Sequence, residues 1–418
     1  MRIRTIIIMA WLAIPASAQL PLPHVTVPEL PVHVPITDAS RLDPIFATLT
    51  QARALRAERL LREHRAELDR SPPGDLIVRA QVVGIDITEE ALARVQKAQF
   101  VVLRTRELAD LGVKITVLQT PEGMNASRGL KRLRKLDPEG TYDYNHVYLD
   151  SGAEIADASP RANSGSKATY GGTGRVGLID GGVDDKHEVF EGIRIHHDGC
   201  EGNLVPSPHG TAVAYLLVSR HSVGEIFAAD VYCGEAFGGA VDSVSAAFGW
   251  MAREHVGVIN VSLVGPRNKL MERVVKTLVS RGHLIVAAVG NDGPAAPPLY
   301  PASYDGVIGV TAVDKNHHVL IEACRGKQVD FAAQGADLEA AAAAPDVFVP
   351  VRGTSFAAPI IAAMLANYLD GPDPARSQVA LAKWNGAAID LGKRGRDEIY
   401  GQGELGDNLN QVAGGANK

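Results

Sequence analysis

The chain has 418 residues, 46% hydrophobic and 22% charged, a balance that folds and a length that calls for two or three domains. A net charge of -6 and a pI near 6.1 leave a nucleic-acid partner without its usual basic footprint. Three cysteines, Cys200, Cys233 and Cys324, leave at least one over from any pairing; Cys200 and Cys233 lie nearer each other, but sequence does not decide the bridge.

Residues 1–18 carry Arg2 and Arg4, an apolar run from Ile6 to Ile14, and Ala16-Ser17-Ala18, the three parts of a secretory signal peptide cut after Ala18. The apolar run falls short of the roughly 20 residues a spanning helix requires. No other run qualifies, so no membrane span is expected once the signal is removed. Residues 19–39 are proline-rich and read as an extended linker. Between 40 and 70, Leu42, Phe46, Leu49, Leu55, Leu60, Leu61 and Leu68 among arginines predict an amphipathic helix or helix pair, with Glu58, Glu63 and Glu67 marking a solvated face.

From 75 to 149 the apolar runs LIVRAQVVGI, FVVLRT, VKITVLQT and YDYNHVYL alternate with the helical patterns TEEALARVQKA and ASRGLKRLRKL. The order β-α-β-β-α-β predicts a small α+β domain of the ferredoxin type within 40–149. Residues 150–174, rich in Ser, Ala and Gly, read as an exposed linker. From 175 to 405 Val/Ile-rich strands (RVGLID, EIFAADVY, VGVINVSLV, HLIVAAVG, GVIGVTAV, QVDFAA) alternate with helices over 209–219, 240–254, 268–281 and 355–369. Such a pattern predicts an α/β fold, a doubly wound, mostly parallel sheet covered on both faces. Its sites gather beyond the carboxyl ends of strands, where Asp180 and Asn291 fall. Residues 406–418 read as a flexible tail.

Three stretches carry chemistry. Ser355, in RGTSFAAP, opens an alanine-rich helix whose free N–H groups and dipole favour a neighbouring oxyanion. Serine requires a base, and His209, in SPHGTAVA, starts another helix. The base requires a carboxylate, and Asp180, in LIDGGV, leaves its strand through two glycines that permit close backbone approach. No C-x-x-C or H-E-x-x-H spacing occurs, and His196-His197 and His317-His318 read as loop or edge residues, so neither metal nor cofactor is expected.

LIDGGV, HGTAVA, VAAVGNDGP and GTSFAAP, in this order, resemble the signatures of the subtilisin-like (subtilase) serine proteases over residues 175 to about 405. The resemblance implies a serine endopeptidase acting on protein or peptide substrates, with Asp180, His209 and Ser355 as triad and Asn291 as oxyanion donor. By the same likeness Leu263, Val264 and Gly265, with Ala288 and Gly290, line the substrate groove. Departures are Gly181 in place of Ser or Thr, Ala212 in place of a second histidine, Val264 in place of glycine, and a short interval between Asp180 and His209 that speaks against calcium loops. Residues 40–149 resemble the family's propeptides in place, size and element order. That implies an intramolecular chaperone and inhibitor, removed by self-cleavage between about Leu149 and Gly174 in a secreted or periplasmic protein. Two alternatives keep the same fold: a binding module without activity, or an esterase using the same triad.

Overall fold

The computed structural model describes residues 55–154, 161–162, 172–219, 223–235, 237–345 and 347–406. The signal peptide, the proline-rich linker, residues 40–54 and most of the tail lie outside these, as do 155–160 and 163–171 within the predicted linker.

The N-terminal domain begins with helix α1 (55–63 as described) and β1 (Leu68–Arg70). The predicted amphipathic helix therefore ends before 70, because Leu68 pairs with Val78 as strand and is fully buried there. Next come β2 (Leu76–Ile85), α2 (Glu89–Lys97), β3 (Val101–Leu108), β4 (Val113–Gln119), α3 (Ala126–Leu136) and β5 (Thr141–His146), the β-α-β-β-α-β order of the sequence. Thr88 and Asn125 cap the two helices, accepting from Ala91 N–H and Arg128 N–H. The period-2 alternation of the strands gives this sheet two apolar faces. Ile77, Val82 and Leu118 pack on Ala91, Val95, Leu130 and Leu133 of α2 and α3. Val83, Ile85, Val113, Ile115 and Val117 turn the other way, into the large domain.

The chain then leaves the sheet as β6 (Leu149–Asp150), β7 (Gly152–Glu154) and β8 (Arg161–Ala162). These begin the stretch read as an exposed linker, yet Ser151 is buried and all three strands are paired. Low periodicity conceals strand addition when backbone bonds rather than side chains hold the segment.

The large domain comprises β9 (Gly174–Asp180), β10 (Arg194–Gly199), α4 (Pro208–Val218), β11 (Val223–Asp230), α5 (Val241–Arg253), β12 (Val258–Val261), β13 (Leu263–Val264), α6 (Lys269–Ser280), β14 (Leu284–Ala288), β15 (Ile308–Val313), β16 (Phe331–Gln334), β17 (Leu338–Ala341), β18 (Val347–Gly353), α7 (Thr354–Ala366) and α8 (Pro374–Ala387). Seven strands form one parallel sheet in the order β10-β11-β9-β12-β14-β15-β16. Val176, Leu178, Ala228, Val286 and Val310 face α4 and α7, whereas Ile179, Phe227, Ile259, Ile285 and Ala287 face α5 and α6. This is the doubly wound fold read from the sequence. Strand order reverses about β9, whose carboxyl end is therefore the switch-point crevice.

Helices α5 and α6 lie between two sheets, their outer faces covered by the N-terminal domain. Each buried Val or Ile is worth about 1.5–3 kcal/mol, so apolar packing supplies most of this adhesion. Polar pairs fix its register: Arg104 Nε and Asn145 Nδ2 donate to the fully buried Asp242 carboxylate at 2.7 and 3.0 Å. Asp143 accepts from Lys269 N–H at the start of α6 at 2.9 Å. Arg104→Ala leaves Asp242 short of its cationic partner and is expected to lower stability by about 1–3 kcal/mol; a urea midpoint on the Ser355→Ala background checks it.

Candidate active site

Asp180 closes β9 with its side chain 2% exposed. Gly181 N–H donates to its Oδ1 at 2.7 Å, so the backbone at the glycine helps orient the carboxylate. A Cβ on Gly181 would lie 2.6 Å from the Ser207 side chain, and one on Gly182 would lie 2.2 Å from the Val205 carbonyl oxygen. The two glycines thus let segment 205–210 rest directly on the strand end. Ser207 caps α4 by accepting from Gly210 N–H at 3.2 Å, Pro208 fills the first helical position, and His209 is next. Its Nδ1–H donates to both Asp180 oxygens, at 2.9 and 3.0 Å. Burial disfavours the charged imidazole, but the charge and hydrogen bond of Asp180, helped by Asp150, outweigh it and push His209 up to about 9.

Ser355 sits in the first turn of α7, after Gly353 and Thr354, and is fully buried. Pro359 lacks the N–H that would bond the Ser355 carbonyl four residues back. Ser262 Oγ–H takes that carbonyl at 3.0 Å, while Ser355 Oγ–H donates to the Ser262 carbonyl at 3.1 Å. The serine is therefore anchored to the strand beside it. The ring of the next residue, Phe356, lies 5.3 Å from the imidazole, which sets the start of α7 beside His209. His209 Nε2 is buried and has no hydrogen-bond partner, so the Ser355–His209 bond is not made in this arrangement. Catalytic hydrogen bonds often tighten only around a reacting substrate. Asn291 Oδ1 accepts from Thr354 N–H at 3.1 Å, leaving its NH2 as the free end, and Gly290 N–H donates to Thr354 Oγ1 at 3.2 Å.

The crevice holds part of the chain itself. Val147 bridges Ala240, Tyr148 N–H donates to the Gly239 carbonyl at 3.0 Å, and β6 pairs antiparallel with β13, Leu149 opposite Val264 and Asp150 opposite Leu263. Ser151 N–H points to the Ser262 carbonyl at 3.4 Å, and Ser151 Oγ lies 2.6 Å from Ser355 Oγ. Beyond it Gly152 pairs with Gly353, and β7 and β8 continue along β18. Arg56 of α1 forms an ion pair with Asp150 from above. Of the groove residues read from the sequence, Leu263 and Val264 pair with this segment, Gly265 lies against the Tyr148 ring, Ala288 ends β14, and Gly290 follows that strand just before Asn291.

Residues 172–403, more than half of the chain, match the Peptidase_S8 family, described as the subtilase family. The chain belongs to the subtilases. Among relatives of this subtilase, subtilisin Savinase of Lederbergia lenta is 30% identical over 241 residues, covering 55% of this chain and 87% of that protein. The minor extracellular protease Epr of Bacillus subtilis (strain 168) is 31% identical over 205 residues, 47% of this chain; the chain spans only 32% of that relative. Fervidolysin from Fervidobacterium pennivorans, a keratinolytic enzyme related to subtilisin, shares the fold with a TM-score of 0.65 at 18% identity, over 81% of this chain and 61% of that one. That share exceeds the family match, so the likeness of fold reaches into the N-terminal domain.

Sequence reasoning missed Ser262, Thr354, Ser151 and Arg56. The serine and threonine are signalled only by their neighbours, Pro359 with its missing donor and Asn291 with its amide to orient; Arg56 carries no local mark. Cys200 and Cys233, left open in sequence, are bridged, joining the turns after β10 and β11. Among the described residues these two and Asp230 form a cluster with metal-binding atoms, but the disulfide occupies both sulfurs. His196 and His197 lie on the edge strand β10 against Glu225 and Asp185, and His317 meets Glu404 from a loop.

Because Asp180 and Asp150 both raise the His209 pKa, removing either charge lowers it. In Ser355→Ala protein, an NMR titration of His209 is expected to show its midpoint near 9 moving to lower pH with Asp150→Asn and lower still with Asp180→Asn. The stability this pair contributes is present below the ordinary histidine value near 6.5 and is lost as pH rises through about 9.

Proposed function

We propose that the chain is an exported serine endopeptidase made as a zymogen, with Asp180, His209 and Ser355 as its triad and Asn291 as its oxyanion donor. Residues 40–151 act as its propeptide. The observation that carries this reading is the threading of residues 147–154 through the crevice as an added strand, with Ser151 against Ser355. A chain held that way presents its own Ser151–Gly152 peptide bond as the first substrate.

In the proposed reaction the Ser355 hydroxyl turns from the Ser262 carbonyl toward His209 Nε2, gives up its proton there and attacks the Ser151 carbonyl carbon. The oxyanion is received by Asn291 NH2, whose orientation Thr354 fixes, and by Ser355 N–H at the positive end of α7. Asp180 stabilises the imidazolium and keeps its tautomer. Collapse breaks the carbon–nitrogen bond, the imidazolium protonates the departing Gly152 amine, and water repeats the sequence on the acyl-enzyme. The base works only when neutral, so the carboxylates that favour the charged imidazole, Asp180 first and Asp150 with it, lower the fraction ready to act, while the Arg56 charge works the other way. Arg56 also holds Asp150 in place in the uncut chain.

The relatives named above include an extracellular protease, which with residues 1–18 supports export. Among the described residues no helix is long and apolar enough to cross a membrane.

Mass spectrometry of purified protein is expected to find an N-terminal fragment ending at Ser151 and a product beginning at Gly152, with neither in Ser355→Ala. Equal cleavage in both proteins overturns self-processing. A fluorophosphonate probe that fails to label the wild type favours a binding module. Asn291→Ala is expected to slow turnover by about 10²–10³, the loss seen when the corresponding donor of subtilisin is removed; single-turnover kinetics measure it.

A further inference from the structure

The Cys200–Cys233 disulfide joins the two limbs that carry the Asp180–His209 pair. On one limb, Cys200 follows β10, and the chain runs from it through residues 203–206 to Ser207, Pro208 and His209. Gly199, Cys200, Glu201 and Gly202 all have positive φ, of 102, 51, 55 and 83°. Cys200 and Glu201 carry a Cβ, so this turn is strained and persists only where its surroundings impose it. Packing imposes little, because Glu201, Gly202, Asn203, Leu204 and Pro206 are exposed. On the other limb, Cys233 has φ 53° and lies in the turn after β11. Asp230 Oδ1 accepts from Tyr232 N–H and Cys233 N–H, both at 2.9 Å. Between them Val231 N–H donates to the Asp180 carbonyl at 2.9 Å. The bridge therefore fastens an exposed, strained approach to His209 onto the turn that is bonded to Asp180.

We propose that this disulfide is a redox switch for the catalytic pair: intact, it seats His209 against Asp180; opened by a dithiol reductant, it frees residues 200–206 and unseats the imidazole. The inference rests on the endopeptidase reading. Cys233 is exposed and Cys200 half-buried, so a reductant thiolate attacks Cys233 Sγ, forming a mixed disulfide as the bond between the two protein sulfurs breaks. Cys200 departs as a thiolate and takes a proton from water. The second reductant thiolate then closes on the first reductant sulfur, and Cys233 leaves and is protonated in turn. The protein gains two electrons and two protons, and the dithiol becomes a disulfide. The Asp230 carbonyl, 3.7 Å from Cys200 Sγ, stands ready to accept from the new S–H. Without the bridge, Cys200 and Glu201 are released from the left-handed region. The segment before His209 then keeps only its seat on Gly182, through the Ser207 N–H bond at 2.8 Å and the Gly182–Pro206 pairing. Segments with so few buried apolar contacts open locally while the fold stays intact. A chain that folds in a reducing compartment thus lacks a seated base, and an oxidising one completes the site.

The test compares oxidised full-length Ser355→Ala protein with the same protein reduced by dithiothreitol. Alkylation with peptide mapping shows Cys200 and Cys233 free, and a cooperative melt shows the fold retained. The NMR midpoint of His209, held near 9 by Asp180 and Asp150 against Arg56, is expected to fall toward 6.5 on reduction and to return on reoxidation. In wild type, fluorophosphonate labelling of Ser355 is expected to slow about 10²-fold on reduction, the lower end of what a general base contributes. A double variant, Cys200→Ser with Cys233→Ser, is expected to match the reduced protein and to ignore dithiothreitol. An unchanged midpoint in protein alkylated at both cysteines, or equal labelling in the two redox states, overturns the switch while leaving the endopeptidase reading intact. Global unfolding on reduction also overturns it, since the bridge is then a structural staple. Oxidised wild type that takes no probe overturns both.

Discussion

The architecture turns on one close approach, that of the backbone at Gly181 and Gly182 to segment 205–210 at the point where strand order reverses. A carboxylate at a parallel-strand end is costly to bury unless a partner meets it at once. The glycines remove the side chains that would hold the partner away, and Ser207 and Pro208 start a helix that brings His209 to the carboxylate. The other site elements are arranged about that pair. Helix α7 brings Ser355 beside it, the β14 turn brings Asn291, and β13 offers the edge on which a polypeptide can lie. The chemistry is distributed over separate elements, and the sheet is what makes their meeting rigid.

A second constraint is the sharing of α5 and α6 between two sheets. The large domain leaves apolar surface on the outer side of these helices, and the N-terminal domain covers it with Val83, Ile85 and Val117. That docking aims β5 at the crevice, so residues 147–151 enter the groove as a continuation of a folded domain rather than as a free tail. Arg104 and Asn145 set the angle of approach by bonding the Asp242 carboxylate in the first turn of α5, and Asp143 by accepting from Lys269 N–H at the start of α6. A segment held this way is preorganised, which lowers the entropy lost on occupying the crevice.

The electrostatics of the crevice centre on His209. Asp180 orients the imidazole and favours its charged form; Asp150 adds to that shift, whereas Arg56, which ties Asp150 to α1, opposes it. Ser262 stands apart from these charges: it compensates for Pro359 by bonding the orphaned Ser355 carbonyl, and so steadies Ser355.

The sequence by itself determined the elements and the order of the site. Alternating apolar residues marked β2 and β4, continuous Val/Ile runs marked the parallel strands, and Asp180, His209, Asn291 and Ser355 stood out because special backbone, capping or terminal positions leave local signs. Only tertiary structure decided what the weakly patterned segments do. Residues 150–154 have the composition of a linker, yet they are strand, since their pairing partners lie far along the chain and their hold is through backbone groups that every residue carries. The same holds for Arg56, Ser262 and Tyr148: each acquires its role from a partner more than 90 positions away, and no local pattern records a contact made at that distance.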